Sequence, residues 1–393
     1  MKKKYRIILY TSIFLLCVVA SIILVVKKSN SVYEEESKPK VVKHKSMLSM
    51  NLEQTAGSGD YKTVTQSSWP TEGYKFNAEL SRCENGSTLS WDDTKKAVIV
   101  SGNLSDKCYV YFDIYQPTLA EYIKSQYTGT QGENSIYYHN SSLENGAGDN
   151  SYRYAGANPN NFVCFGSDAS PCPIDNLYRI IGVFGENYHG ANGKQLVKLI
   201  KYDYMTTDEL GTDGDYSQTY KEWGMDSTYK GTYGDGERIG VYYWNYKATG
   251  SATNTWSTSL LNKTNLNTNF INNIGTTWAN KIATVTWKVG GNTWANIGTK
   301  TSSVAYTNEI TNPVTTNTTD NATTYSAKIG LMYVSDYGFA ASPDAWTLTM
   351  SSYNNTTATN NNWMYMGLYE WTISRYADNS DYAFLVSYVG CVN

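Results

Sequence analysis

Histidine is almost missing from this 393-residue chain, which holds only His44, His139 and His189. Three histidines so far apart leave little material for a Ser–His or Cys–His catalytic pair, and none stands beside a cysteine to complete a zinc site. Charge is also scarce, at 17% Asp, Glu, Lys and Arg against about 25% in ordinary globular domains. With a net charge of −3 there is no basic footprint for nucleic acid. What is abundant is tyrosine: 35 of them carry most of a 14% aromatic content. Tyrosine among Asn, Thr, Ser and Gly matches the chemistry of binding surfaces, where rigid amphipathic rings alternate with short adaptable hydrogen-bonding groups. Exported bacterial surface proteins of no special binding role share that composition, so it does not choose between the two.

The twenty residues from Ile7 to Val26 carry no charge and sit between Lys2-Lys3-Lys4-Tyr5-Arg6 and Lys27-Lys28. As a helix this run is about 30 Å long, the thickness of a bilayer core. The expectation is an N-terminal membrane anchor at residues 7–26, single-pass in the cell membrane, with the basic cluster cytoplasmic and the bulk of the chain extracellular. A cleaved signal peptide ending at Val18-Val19-Ala20 is the rival, although the apolar run continues past Ala20. Cys17 follows Leu16, where lipid attachment wants a smaller residue, and reads as a plain hydrophobic helix position.

Residues 29–66 carry Glu34-Glu35-Glu36, scattered lysines and Gly57-Ser58-Gly59 with little apolar periodicity, which predicts a flexible stalk. Over 67–117 the pattern turns to short strands: Tyr74–Phe76, Thr88–Trp91, Ala97–Val100 and Cys108–Phe112, separated by turn residues. So small a β module buries little core and needs a staple, which Cys83 and Cys108 would supply. A second pair is expected between Cys164 and Cys172, across seven residues rich in Gly, Ser and Pro; zinc sites use shorter spacings. This leaves Cys391 outside both pairs. Residues 118–176 form a connector that begins with a helix capped by Thr118. From Leu177 a strand pair is predicted over 177–184 and 195–201, helices over 256–261 and 264–275, and further strands at 283–289, 328–334, 362–366, 371–375 and 382–389. Thr311 to Thr324 is a polar insertion expected to lack fixed structure.

Calcium finds no convincing loop. Asp213-Gly214-Asp215 opens like an EF-hand, but Gln218 and Gly224 occupy the positions of its invariant Gly and bidentate Glu. Ser342-Pro343-Asp344 lacks a coordinating first side chain, and Asp235-Gly236-Glu237 reads as a turn. No metal, cofactor or catalytic residue is assigned.

Taken together, Tyr178-Arg179-Ile180-Ile181-Gly182-Val183, Lys198-Leu199-Ile200-Lys201, Asn254-Thr255-Trp256-Ser257, Lys328 to Gly338 and Glu370-Trp371-Thr372-Ile373-Ser374-Arg375 resemble an uncharacterised domain of bacterial surface proteins. That domain is similar in fold to C-type lectins and to the formylglycine-generating enzyme. Cys83 to Ser87 with Ser105 to Asp113 resembles a small leader module of such proteins. The resemblance covers about residues 177–393 and implies a C-type-lectin-like α+β domain there; with the apolar run 7–26 and the strands over 67–117, the expected fold class is α+β, with an N-terminal transmembrane helix, a small all-β module and a C-terminal C-type-lectin-like α+β domain. Domains of this kind continue into an Arg-Pro-containing final strand, whereas the sequence stops at Val392-Asn393, as a fragment or as a domain that ends early. The active-site cysteine pair of the formylglycine-generating enzyme has no counterpart in 177–390. In retroelement-diversified lectin-like proteins the ligand face lies in the last stretch. Here that stretch offers Tyr376, Asp381, Tyr382, Leu385, Ser387, Tyr388 and Cys391, with Tyr388 doubtful because alternation puts it beside Phe384 and Val386. An ordinary Tyr-rich strand and loop is the competing reading. The expected function is a membrane-anchored extracellular ligand-binding or adhesion protein without catalysis, its partner a glycan, a protein or a phage component. The alternative is a structural cell-envelope protein with no discrete ligand site.

Overall fold

A computed structural model of the chain describes residues 48–65, 68–103, 105–185, 193–211, 242, 244–245, 253–295, 300–314, 323–353, 360–367 and 369–392. The chain divides into two compact units, Met1–Gln116 and Pro117–Asn393.

In the first unit a four-stranded sheet forms from β1 (Leu48–Glu53), β2 (Tyr61–Val64), β3 (Tyr74–Cys83) and β6 (Cys108–Ile114), in the order β2-β1-β6-β3. Between β3 and β6 the hairpin β4 (Thr88–Asp92) and β5 (Ala97–Ser101) stands as a separate two-stranded sheet. Phe112 is the centre of the small core, with the rings of Trp69, Phe76 and Trp91 within 6 Å of its own. Cys83 and Cys108 are paired across β3 and β6 and joined by a disulfide.

The stalk expected over 29–66 gives way to regular structure at Leu48. β1 runs parallel to β6 and antiparallel to β2, burying Met50 and Leu52. Its remaining buried positions are polar: Asn51 donates to the Val110 carbonyl (3.3 Å), while Glu53 accepts from the Ile114 and Gly59 amides (2.9 and 3.1 Å). The strand does alternate, Leu48, Met50 and Leu52 against Ser49, Asn51 and Glu53, but six residues in a charged, Gly/Ser-containing segment are a weak signal, and its polar side chains are satisfied only once the neighbouring backbone lies against them.

The second unit begins with α1 (Leu119–Ser125), capped by Thr118 and Glu121 in reciprocal bonds. It continues through β7 (Ile136–Tyr138), β8 (Tyr152–Tyr154), β9 (Phe162–Cys164), β10 (Leu177–Phe184) and β11 (Leu196–Lys201). These strands share one sheet, ordered β11-β10-β8-β7 with β9 also on β10. The connector expected over 118–176 is therefore part of the same sheet as the strands after 177, with no boundary between them. Gly182 makes this pairing possible, since a Cβ there would lie 2.2 Å from the Tyr152 carbonyl oxygen. Cys164 and Cys172 form the second disulfide.

Farther along lie a π-helical run Leu261–Phe270, β12 (Val285–Lys288), β13 (Gly291–Asn292), α2 (Ser302–Tyr306), β14 (Thr324–Ala327), α3 (Val334–Ala340), β15 (Glu370–Tyr376) and β16 (Ala383–Val386). β12 pairs with β14, and β13, β15 and β16 form a three-stranded sheet in that order. Every residue of α3 is buried, so its free amides need internal acceptors. The Asp336 carboxylate takes the Tyr333 amide (3.0 Å), and Glu309 takes those of Val334 and Ser335 (3.2 Å each). Burial raises the Glu309 carboxyl to about 7.

Two predicted strands are absent. At 328–334, Ile329 is bracketed by the Asn267 side chain, which accepts from its amide and donates to its carbonyl at 3.0 Å each. A side-chain amide thus replaces the neighbouring strand. At 362–366, Asn362 closes a turn by accepting from the Met364 amide (3.0 Å). The expected fold class is corrected at its first element: the described chain is mixed α+β in several small sheets, and among the described residues no helix is long and apolar enough to cross a membrane. The run 7–26 lies outside the described residues, as do Asp213 to Gly224 and Asp235-Gly236-Glu237.

Candidate ligand-binding face

β13 lies parallel to β15 with Gly291 opposite Arg375 and Asn292 opposite Tyr376. Only glycine fits at 291, where a Cβ would stand 2.5 Å from the Arg375 carbonyl oxygen. This close approach carries Trp294 over Tyr376, their rings 7° from parallel with centroids 6.2 Å apart. On its other side Tyr376 stacks on buried Phe384 at 4.2 Å and 16°. The result is a ladder of three rings: Phe384 in the core, Tyr376 half-buried, and Trp294 at the outer end, 48% exposed. Tyr382, 59% exposed, leans against Tyr376 at 5.6 Å and 48°.

The turn between β15 and β16 places the polar groups. Its ends meet where the Tyr376 amide donates to the Tyr382 carbonyl (3.0 Å), and the Ala377 amide donates to the Asn292 carbonyl (2.9 Å). Its interior is filled by Asn254, which is buried and whose amide nitrogen Nδ2 donates to the carbonyls of Tyr376 (2.9 Å), Asn379 (2.8 Å) and Tyr382 (2.7 Å). The Asn254 backbone amide adds a bond to the Ser380 carbonyl (2.6 Å). Held this way, the turn exposes Asp378 and Asp381 beside the rings. Burial, then the Asp378 charge, then Tyr382 push the Tyr376 hydroxyl up to about 12, so it stays protonated, able both to donate and to accept.

The residues expected to form the face divide three ways. Tyr376, Asp381 and Tyr382 come together at this turn. Leu385 is half-buried on edge strand β16, and Tyr388 is exposed beyond the strand's other end, against the Tyr369 ring at 5.5 Å. Alternation fails for Tyr388 because β16 ends at Val386 and the chain turns, with the Gly390 amide donating to the Ser387 carbonyl (2.8 Å). Ser387 and Cys391 are buried, their Oγ and Sγ 3.1 Å apart, and so lie beneath the surface rather than on it. Sequence reasoning missed Trp294 and Asn254. Trp294 sits in Gly290-Gly291-Asn292-Thr293-Trp294, where paired glycines signal close backbone approach. Asn254 lies in the Asn254-Thr255-Trp256-Ser257 segment singled out above, but nothing local gives it a role at this face, since its side-chain partners are more than 120 residues away.

The other polar concentration in this unit is internal. Arg153 is buried among the rings of Phe184, Tyr306 and Phe339 and pairs with Asp149 (2.8 Å) and Asp336 (3.5 Å); Lys198 meets Asp336 at 3.0 Å. His139 is enclosed by Phe339 and Trp346, accepts the Ala147 amide at Nδ1, and is held well below the usual histidine range by burial, then by Arg153. It is therefore neutral. Among the described residues no cluster of three or more His, Cys, Asp or Glu is placed to hold a metal ion. No family model, curated protein or solved structure matches this chain.

Proposed function

We propose that this chain is an extracellular ligand-binding or adhesion protein, without catalysis, that holds its ligand non-covalently against Trp294, Tyr376 and Tyr382. The observation that carries this is the exposed Trp294 ring at the end of a stack rooted in the core. A flat aromatic surface on rigid support, edged by short polar groups, offers contact area with little side-chain entropy to lose on binding. The two disulfides fit an oxidising compartment outside the cytosol. The resemblance to bacterial surface domains agrees with this reading and carries none of its weight.

The test is an array of peptides and oligosaccharides probed with the full-length protein and with its Trp294→Ala/Tyr382→Ala variant. Both side chains are solvated, so the variant should melt close to the parent while its array signals vanish. Signals that persist in the variant, or an array that stays blank for the parent, would overturn the assignment.

A further inference from the structure

We infer that the ligand presents a cationic group to this face, in the form of Lys or Arg side chains of a peptide segment. The inference rests on the ligand-binding reading above and names the chemical class that the site takes.

The argument begins with the two carboxylates. Asp378 and Asp381 are exposed on the turn, Asp378 near enough for its charge to act on the Tyr376 hydroxyl and Asp381 next to Tyr382 in the chain, and among the described residues neither forms an ion pair with a lysine or arginine. Several cations of the unit have partners of their own. Arg153 and Lys198 are tied to Asp149 and Asp336, Lys201 to Glu209, Lys328 to the carbonyls of Ala279 and Ile282, and Lys124 to Gln195. A ligand seated on the rings covers the adjoining carboxylates and strips water from them. A neutral ligand answers that loss with ordinary hydrogen bonds, whereas an ammonium or guanidinium answers it with charge-assisted ones, about twice as strong. The rings favour the same choice, because the face of an indole or phenol is the negative end of its quadrupole, and tryptophan is the best cation acceptor of the three aromatic side chains. Arginine has both capacities in one side chain, a flat guanidinium that stacks on an aromatic ring and a fork of donors for a carboxylate.

The test is a titration of the full-length protein, at low and high salt, with three probes: a nonapeptide alternating Gly with Lys and Arg, the same peptide with acetyl-lysine and citrulline in their place, and a neutral chitooligosaccharide. The basic peptide should bind about ten-fold more tightly than its neutral counterpart and weaken as salt rises. Asp378→Asn/Asp381→Asn should lower its affinity about five-fold and flatten the salt dependence, and Trp294→Ala should lower it about three-fold. Equal binding of charged and neutral peptides, or indifference to the aspartate substitutions, would overturn the inference. Trp294-dependent binding of the oligosaccharide alone would also overturn it, while leaving the ligand-binding face intact. If none of the three probes binds, the cationic class fails, and the wider array decides separately whether the face binds anything.

Discussion

Glu370 sets a pH dependence that a single substitution should remove. The residue opens β15, and although part of it reaches solvent, its Oε1 is closed off from water and meets no hydrogen-bond donor among the described residues. Burial raises its carboxyl from 4.5 to about 8, and the Met366 backbone offsets only part of that rise. Between those two values the folded chain holds a proton at this position that the unfolded chain has lost. The stabilisation is therefore complete below 4.5 and falls as pH rises, by about 1.4 kcal/mol per pH unit, until it is gone above 8. Over the whole interval the loss comes to about 5 kcal/mol, a large share of the stability of an ordinary domain. Glu370→Gln keeps the shape and cannot ionise. Its advantage in unfolding free energy should be near zero at pH 4.5, about 3 kcal/mol at pH 7 and about 5 kcal/mol beyond pH 8. Denaturant titrations of both proteins at half-unit pH steps, followed by tryptophan fluorescence, measure this difference directly. Glu309 shifts in the same direction but is present in both proteins, so its contribution cancels. Two stability curves running parallel from pH 5 to pH 8 would refute the reasoning, because they would show that the Glu370 carboxylate is solvated in the folded chain.

Asp336→Asn should destabilise the second unit by about 3–5 kcal/mol in denaturant titration, since it removes the carboxylate that pairs with Lys198 and one of those that pair with Arg153; a change under about 1 kcal/mol would mean that water reaches these charges. Replacing Cys83 and Cys108 together by serine opens a loop with a sequence separation of 25. This should cost the first unit about 3 kcal/mol, seen as early melting and as new proteolytic cuts between 83 and 108.

The sequence makes an element legible where one kind of local pattern determines it. The hairpin of β10 and β11 shows as apolar runs around turn residues, and the two disulfides follow cysteine spacing. What escaped is whatever depends on polar side chains meeting partners far away. β1 alternates apolar and polar residues for only six positions inside a charged segment that otherwise reads as a stalk, and its buried Asn51 and Glu53 find partners only when β6 lies alongside. The segment at Ile329 has a strand's composition, yet its backbone is claimed by Asn267 before another strand can reach it. At the candidate face, Tyr376, Tyr382 and Asp381 stand out by their place in the last stretch, but the same criterion takes in Ser387 and Cys391, which are buried where the chain turns after β16. Trp294 and Asn254 could not be found this way, since their roles exist only once Gly291 lies against Arg375 and the turn closes around an amide from another part of the chain.

Every bond that Asn254 makes into the turn from 377 to 382 ends on a main-chain carbonyl, and none ends on a side chain of the turn. The Asn254 clasp is therefore indifferent to the side chains of the loop it holds. Asn379 does help shape the turn, its Oδ1 accepting from the Asp381 amide (2.7 Å), but positions 378, 380 and 381 can change their side chains without removing a bond of the Asn254 clasp, so recognition on this face can be rewritten while the architecture stays put. In evolutionary terms, the cost of acquiring a new specificity here is separated from the cost of folding.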